Sequence, residues 1–261
     1  MDPAQQAQSA QQAPPGVLSE QADGVATLTI RNPAKRNAMT PQMWREVPVL
    51  LERLAADASV RALVLTGADG TFCAGADIAA LRESAQTSQG LALAAEEALS
   101  AFPKPTLAVV RGHCVGGGCQ LAAACDLRFA AQGALFGVTP AKLGIVYPAA
   151  STQRLVGLVG PAATKYLLFS GELIGTERAL RTGLVDEVHP DDALDARVDA
   201  FARGLAARSQ LTQSAAKEFA DGRGDAARIA HWQRVAAASD EAAEGVAAFL
   251  ERRAPRFGWT P

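Results

Sequence analysis

Between Val25 and Ile30 the chain alternates, with Ala26, Leu28 and Ile30 falling on one side, and this period of two predicts a strand. Thr40-Pro41 then supplies an N-cap and a first-turn proline. Met43, Val47, Leu50, Leu51 and Leu54 follow at helical spacing, with Pro48 expected to bend or interrupt that helix. Ala62-Leu63-Val64-Leu65 is an unbroken apolar run, the pattern of a strand covered on both faces. A helical stretch over 90–101 leads to a second such run, Thr106 to Val110, and Leu127 to Ala130 reads as a further strand. The second half is more helical. Pro161 opens one helix, Thr176 caps another, and Gly183 stops it before Leu184-Val185-Asp186-Glu187-Val188. From about Asp192 the chain is rich in Ala and Arg with helical periodicity. Strand and helix alternating in this way predict an α/β class with crossover connections. Residues 1–19, dominated by Gln, Ala and Pro, read as a disordered extension.

Composition narrows the partners more than the fold. The 261 residues are 49% apolar, enough to bury a sizeable core in one large domain or two small ones. Twenty-five basic against 27 acidic residues leave a net charge of −2, so no electrostatic excess points to nucleic acid or a membrane surface. No apolar run approaches the ~18–20 residues of a spanning helix, and the N-terminus lacks the basic start and apolar stretch of a secretory signal. Cys73, Cys114, Cys119 and Cys125 sit in Ala/Gly-rich, core-like sequence, which predicts reduced, buried thiols in a cytoplasmic protein. Zinc is disfavoured, because there is no CxxC and His113, His189 and His231 are scattered.

Chemistry concentrates in two glycine-bearing segments. In the first, Arg111-Gly112-His113-Cys114-Val115 runs into Gly116-Gly117-Gly118, and good helix formers follow from Cys119. A helix opening on glycines presents unpaired N–H groups and a positive dipole end, which suits an oxygen gaining negative charge. Tight strand–helix packing needs the same small residues, and both readings stay open on this motif alone. No Gly-Lys-Ser/Thr closes a phosphate loop and no Gly-x-Gly-x-x-Gly is present. The second segment, Gly70 to Ile78, also exposes backbone after a buried strand and before an apparent helix. Two such segments could converge into a two-donor oxyanion hole.

Phe72-Cys73-Ala74-Gly75-Ala76-Asp77 and Gly116-Gly117-Gly118-Cys119 resemble the paired signatures of the enoyl-CoA hydratase/isomerase (crotonase) superfamily. Asn32 to Ala38, Thr152-Gln153-Arg154-Leu155 and Glu244 to Glu251 agree with it, so the likeness covers roughly residues 20–258. It implies a spiral of ββα turns over 20–195 and a helical C-terminal oligomerisation region over 196–261. Homotrimers or paired trimers are expected, acting on an acyl-CoA substrate. No cofactor is expected, coenzyme A being part of the substrate. By position, the resemblance makes Ala76 and Gly117 the N–H donors to the thioester oxygen. It places Lys35, Arg36, Ala38, Ala74, Asp77 and Ile78 at the CoA site, with Lys217 as a contact to CoA phosphate.

The chain departs from that family where proton chemistry is expected. The glutamate that follows the glycine run is here Gln120, which is no useful acid or base. The second glutamate falls at Pro140, within Phe136 to Gly144. The stretch ending at Tyr147 is more similar to methylmalonyl-CoA decarboxylase and its relatives. Losing CO₂ from a malonyl-type thioester creates an enolate without a base, and Tyr147 could orient the substrate. Decarboxylation is therefore the favoured expectation. Hydration or isomerisation with unusual acid/base groups is the alternative, and a non-catalytic CoA-binding protein the third. Lys142 reads as a solvated loop lysine and His113 as structural.

Overall fold

The protein is described here by a computed structural model covering residues 14–261. Strand β1 (Gly16–Ala22) turns at Asp23-Gly24, both at positive φ, into antiparallel β2 (Val25–Arg31). An Asp-Gly pair is suited to that two-residue hairpin turn. From β2 onward the sheet is parallel, through β3 (Ala62–Gly67), β4 (Thr106–Val110), β6 (Leu127–Ala131) and β9 (Glu187–His189). A smaller sheet joins β5 (His113–Val115), β7 (Leu135–Gly137) and β8 (Ile174–Gly175) in that order. The expected strands are all present, and so is the α/β class.

The unbroken apolar runs are explained by cover on both faces. One face packs on helices α1 (Pro41–Ala56), α3 (Ala85–Ser100), α4 (Gly117–Ala124) and α5 (Ala149–Ser170) through Leu63, Leu65, Ala108 and Val110. The opposite face presents Val64, Leu107, Val109 and Phe129 to Leu194, Val198 and Ala202 of α7 (Asp191–Ala206). Between these lie the short α2 (Ile78–Glu83) and α6 (Thr176–Thr182). The C-terminus adds α8 (Gln210–Ala220), α9 (Ala226–Ala237) and α10 (Glu241–Glu251).

Several expectations change. Of the extension expected over 1–19, residues 1–13 lie outside the described part, whereas Gly16 to Ser19 belong to β1. Their backbone pairs with Leu28 to Arg31, so polarity does not keep this segment out of the sheet. The boundary expected after residue 195 falls inside α7, whose apolar stripe completes the sheet's second face. Pro48 does not interrupt α1. Its missing donor is tolerated because Trp44, Val47 and Leu51 fasten the helix to the core on either side. Thr176 is the first residue of α6 and Gly175 caps it without a side-chain bond. Pro161 does begin a helical segment, after Gly160 leaves the helical region at φ 75° within α5.

Candidate active site

The segment Phe72 to Asp77 is held from two sides by backbone. Phe72 and Cys73 donate to the carbonyls of Arg111 and His113, each at 2.8 Å, and Val115 donates back to Cys73 at 2.9 Å. On the other side Ala74 donates to Arg36 at 3.0 Å, Met39 to Gly75 at 2.8 Å and Asp77 to Met39 at 2.9 Å. Asn37 braces this arrangement: wholly buried and left-handed at φ 57°, it donates to the carbonyls of Ala68 at 2.8 Å and Thr71 at 2.6 Å. Asp77 then caps α2 by accepting from Ala79 at 3.0 Å, and it pairs with Lys35 at 2.6 Å. The Lys35 ammonium holds the Asp77 carboxyl below its ordinary range. Within this ladder the Ala76 N–H finds no acceptor among the described residues.

Strand β5 delivers the second donor. Gly116 turns the chain from β5 into α4 at φ 55°, a region that favours glycine. Gly117 opens α4, where a first-turn N–H has no intrahelical partner. A Cβ on Gly118 would lie 2.4 Å from the Cys73 carbonyl oxygen, and one on Gly117 would lie 2.9 Å from Cζ2 of Trp44. That same Gly117 position is 3.8 Å from the Ala76 nitrogen, so the two unpaired N–H groups are neighbours. Both readings of the glycine run fit this geometry: a side chain at Gly118 would meet the Cys73 carbonyl, and Gly117 carries an unpaired N–H beside that of Ala76.

Ala76 and Gly117 open on a cavity of about 140 Å³ whose lining includes Trp44, Ala74, Ile78, Gln120, Pro140 and Tyr147. None of the described lining residues is acidic or basic. Two unpaired N–H groups in a neutral cavity can hold a carbonyl oxygen and stabilise it as negative charge develops there. Burial pushes the Tyr147 phenol well above its ordinary value, so it retains its proton and can donate. Pro140 begins a single 3-10 turn, Pro140–Leu143, beside the cavity. Lys35, Arg36, Ala38 and Asp77 lie immediately behind the donor loop and outside the cavity lining.

Lys217 is elsewhere. Its ammonium is buried against Asp126 at 3.0 Å and the Lys104 carbonyl at 3.2 Å, in a separate groove with Cys125 and Arg223. The internal ion pair occupies the charge that was expected to meet CoA phosphate. Lys142 lays its methylenes against Gly171, and His113 sits in β5 outside the cavity lining. All four cysteines are buried and unbridged, and burial pushes the thiols of Cys73 and Cys125 up to about 12. Among the described residues no three metal-ligating side chains cluster, and no helix is long and apolar enough to cross a membrane.

Two residues of the site were not foreseen. Trp44 forms the wall against Gly117. Glu96, wholly buried in α3, stands behind Gln120 and accepts from its Nε2, from Ser151 Oγ, and from Arg154 Nε at 2.7 Å. A signal for Glu96 existed: Ala92, Ala95, Glu96 and Leu99 share the buried face of α3, so a carboxylate occupies an apolar position of the helical repeat.

The sequence pattern of the enoyl-CoA hydratase/isomerase family matches residues 20–259. The chain belongs to that family. It is 34% identical to the 2,3-dehydroadipyl-CoA hydratase of Escherichia coli K12, over 89% of this chain and 94% of that protein. It is 33% identical to the crotonyl-CoA hydratase of Syntrophomonas wolfei, over 92% and 97%. A crystal structure of an enoyl-CoA hydratase/isomerase family member superposes with a TM-score of 0.89 at 37% identity, covering 95% of this chain and 98% of that one. The protein is thus a crotonase-type enzyme of acyl-CoA chemistry, with the fold that the two glycine segments implied. These named relatives are hydratases, and neither is described as a decarboxylase.

Proposed function

We propose that this enzyme holds the thioester oxygen of an acyl-CoA between the N–H groups of Ala76 and Gly117, and that its favoured reaction is decarboxylation of a malonyl-type thioester. The observation that carries this reading is the neutral cavity: none of the described lining side chains is a carboxylate, and the positions of the two family glutamates are Gln120 and Pro140. Hydration and isomerisation both require a group that gives and takes a proton at the acyl chain. Loss of CO₂ does not. The C–CO₂ bond breaks, its electron pair enters the thioester as an enolate, and the two N–H groups stabilise the oxygen by roughly 3–4 kcal/mol per donor. The substrate carboxylate meets no anionic side chain in the cavity, and the Tyr147 hydroxyl is available to orient it. The enolate carbon then takes a proton that originates in solvent.

The names of the relatives favour the second reading, hydration of an enoyl-CoA. One panel separates the two. Purified enzyme is expected to release CO₂ from methylmalonyl- or ethylmalonyl-CoA faster than it hydrates crotonyl-CoA, and Tyr147→Phe is expected to lower turnover more than binding. Rapid hydration without CO₂ release establishes the second reading instead, and failure to bind any CoA ester leaves neither. The proposal extends to a homotrimer or a pair of trimers in the cytoplasm. The exposed Val246, Phe249 and Leu250 of α10 supply apolar surface for subunit contact, and a monomer in sedimentation velocity would overturn that part.

A further inference from the structure

We propose that Glu96 is a positioning residue that locks the Gln120 side chain as a hydrogen-bond acceptor, and that this acceptor holds the water whose proton ends on the enolate carbon. The inference rests on the decarboxylase reading. A carboxylate buried in a helix core is expensive unless several donors satisfy it. Here three donors converge on it: the Arg154 guanidinium, the Ser151 hydroxyl and the Gln120 amide. Arg154 is itself tied to Ser100 at 2.7 Å, which fixes the guanidinium.

The consequence lies in what remains of Gln120. A primary amide has two N–H donors and one carbonyl acceptor. The nitrogen end is committed on one side, where Glu96 and, at 3.0 Å, Ser151 Oγ both accept from Nε2. The Ser151 hydroxyl gives its own proton to Glu96 and so can only accept from Gln120. Reversing the amide would set its oxygen against the Glu96 carboxylate. The amide is thus turned with its nitrogen toward Glu96, and Oε1, for which no protein donor is found among the described residues, is the end assigned to the cavity that Gln120 lines. Gln120 follows Gly117 by three residues on α4 and so shares a face with it, about 4.5 Å along the helix. In the proposed complex, the carbon next to a thioester carbonyl held at the Gly117 N–H faces that amide.

An acceptor there binds one hydrogen of a water and leaves the other directed at the enolate. In the step itself the water O–H bond breaks and the new C–H bond forms at the enolate carbon. The enolate electron pair becomes that bond, and the hydroxide left behind takes a proton from bulk solvent. Because the water is held on one side, protonation is confined to one face.

Methylmalonyl-CoA turned over in D₂O tests this directly. The wild-type enzyme is expected to give propionyl-CoA with deuterium predominantly in one configuration at the carbon that lost CO₂. Glu96→Gln, which can offer either an N–H or an oxygen to Gln120, is expected to give a nearly even mixture of configurations, with CO₂ release falling only a few-fold. A residue that merely supported the fold would lower the rate and leave the label's configuration alone. Should Glu96→Gln fail to fold, Ser151→Ala removes one of the two partners of the amide and is expected to erode the facial preference partway. An even mixture from wild type, or a preference untouched in these variants, overturns the inference while the decarboxylase reading stands. Absence of CO₂ release from every malonyl-type ester overturns the decarboxylase reading, and this inference with it.

Discussion

Gly117 concentrates two demands in one residue: in the proposed site its N–H receives the thioester oxygen, and a side chain on it would meet the Trp44 ring. Trp44 is almost wholly buried and cannot swing aside. Gly117→Ala is therefore expected to push the start of α4 away from the Ala76 donor. Turnover should fall by about 10²–10³, the usual loss for one oxyanion donor, with about 1–3 kcal/mol of stability lost to overpacking. Steady-state kinetics and thermal melting check the two effects separately, and full activity in the variant would mean that this N–H does not bear the charge. The contrast with Glu96 shows what a sequence discloses at this scale. Glycine runs are visible as such, and the replacement of glutamate by Gln120 and Pro140 is read directly from residue identity. Glu96 looks like one more surface charge in an Ala-rich helix until α3 is rotated onto its neighbours. Only then is its position on the buried face plain.

Among the elements, those set by local pattern were legible: the alternating β2, the apolar β3 and β4, and the Thr40-Pro41 opening of α1. The three-residue strands β5 and β7 were not, because a run that short has no period to read, and their pairing is decided by contacts distant in sequence. Lys217 illustrates the same limit. Its sequence context allowed a solvent-facing cation, and tertiary packing turned it inward onto Asp126. The joint between α8 and α9 carries a testable pH dependence. Glu218 accepts from the Arg228 guanidinium and from the Trp232 indole N–H at 2.6 Å, and Arg228 chiefly, then Trp232, holds its carboxyl at about 2 against an ordinary 4.5. A depressed folded-state pKa means stability that is complete above the unfolded value and is lost as pH falls toward the folded one. The stabilisation at this joint is thus expected to decline between about pH 4.5 and 2. Glu218→Gln should lower the melting temperature at pH 7 and narrow its difference from wild type as the pH is taken down through that window. A constant difference across the window would exclude the Glu218 carboxylate as its source.

Across the whole molecule, the site is assembled from segments that are far apart in the chain and close in the backbone ladder. Residues 72–77 hydrogen-bond directly to 36–39 on one side and to 111–115 on the other, so both donors are carried by one continuous network rather than by two independent loops. Ala76 and Gly117 are the gaps in that network. Gaps of this kind are visible to solvent deuterium. In a residue-resolved hydrogen-exchange map of the resting enzyme, the amides of Met39, Cys73, Asp77, Val115 and Gln120 should be slow, since each has a backbone acceptor. Those of Ala76 and Gly117 should stand out as fast, and a CoA thioester should slow these two before any others. Equal protection at all seven positions in the resting enzyme would show that the two amides are already occupied. The backbone thus carries a built-in reporter: the same unsatisfied amides proposed to receive a thioester oxygen would also register its arrival, with no need for a turnover assay or a label on the ligand.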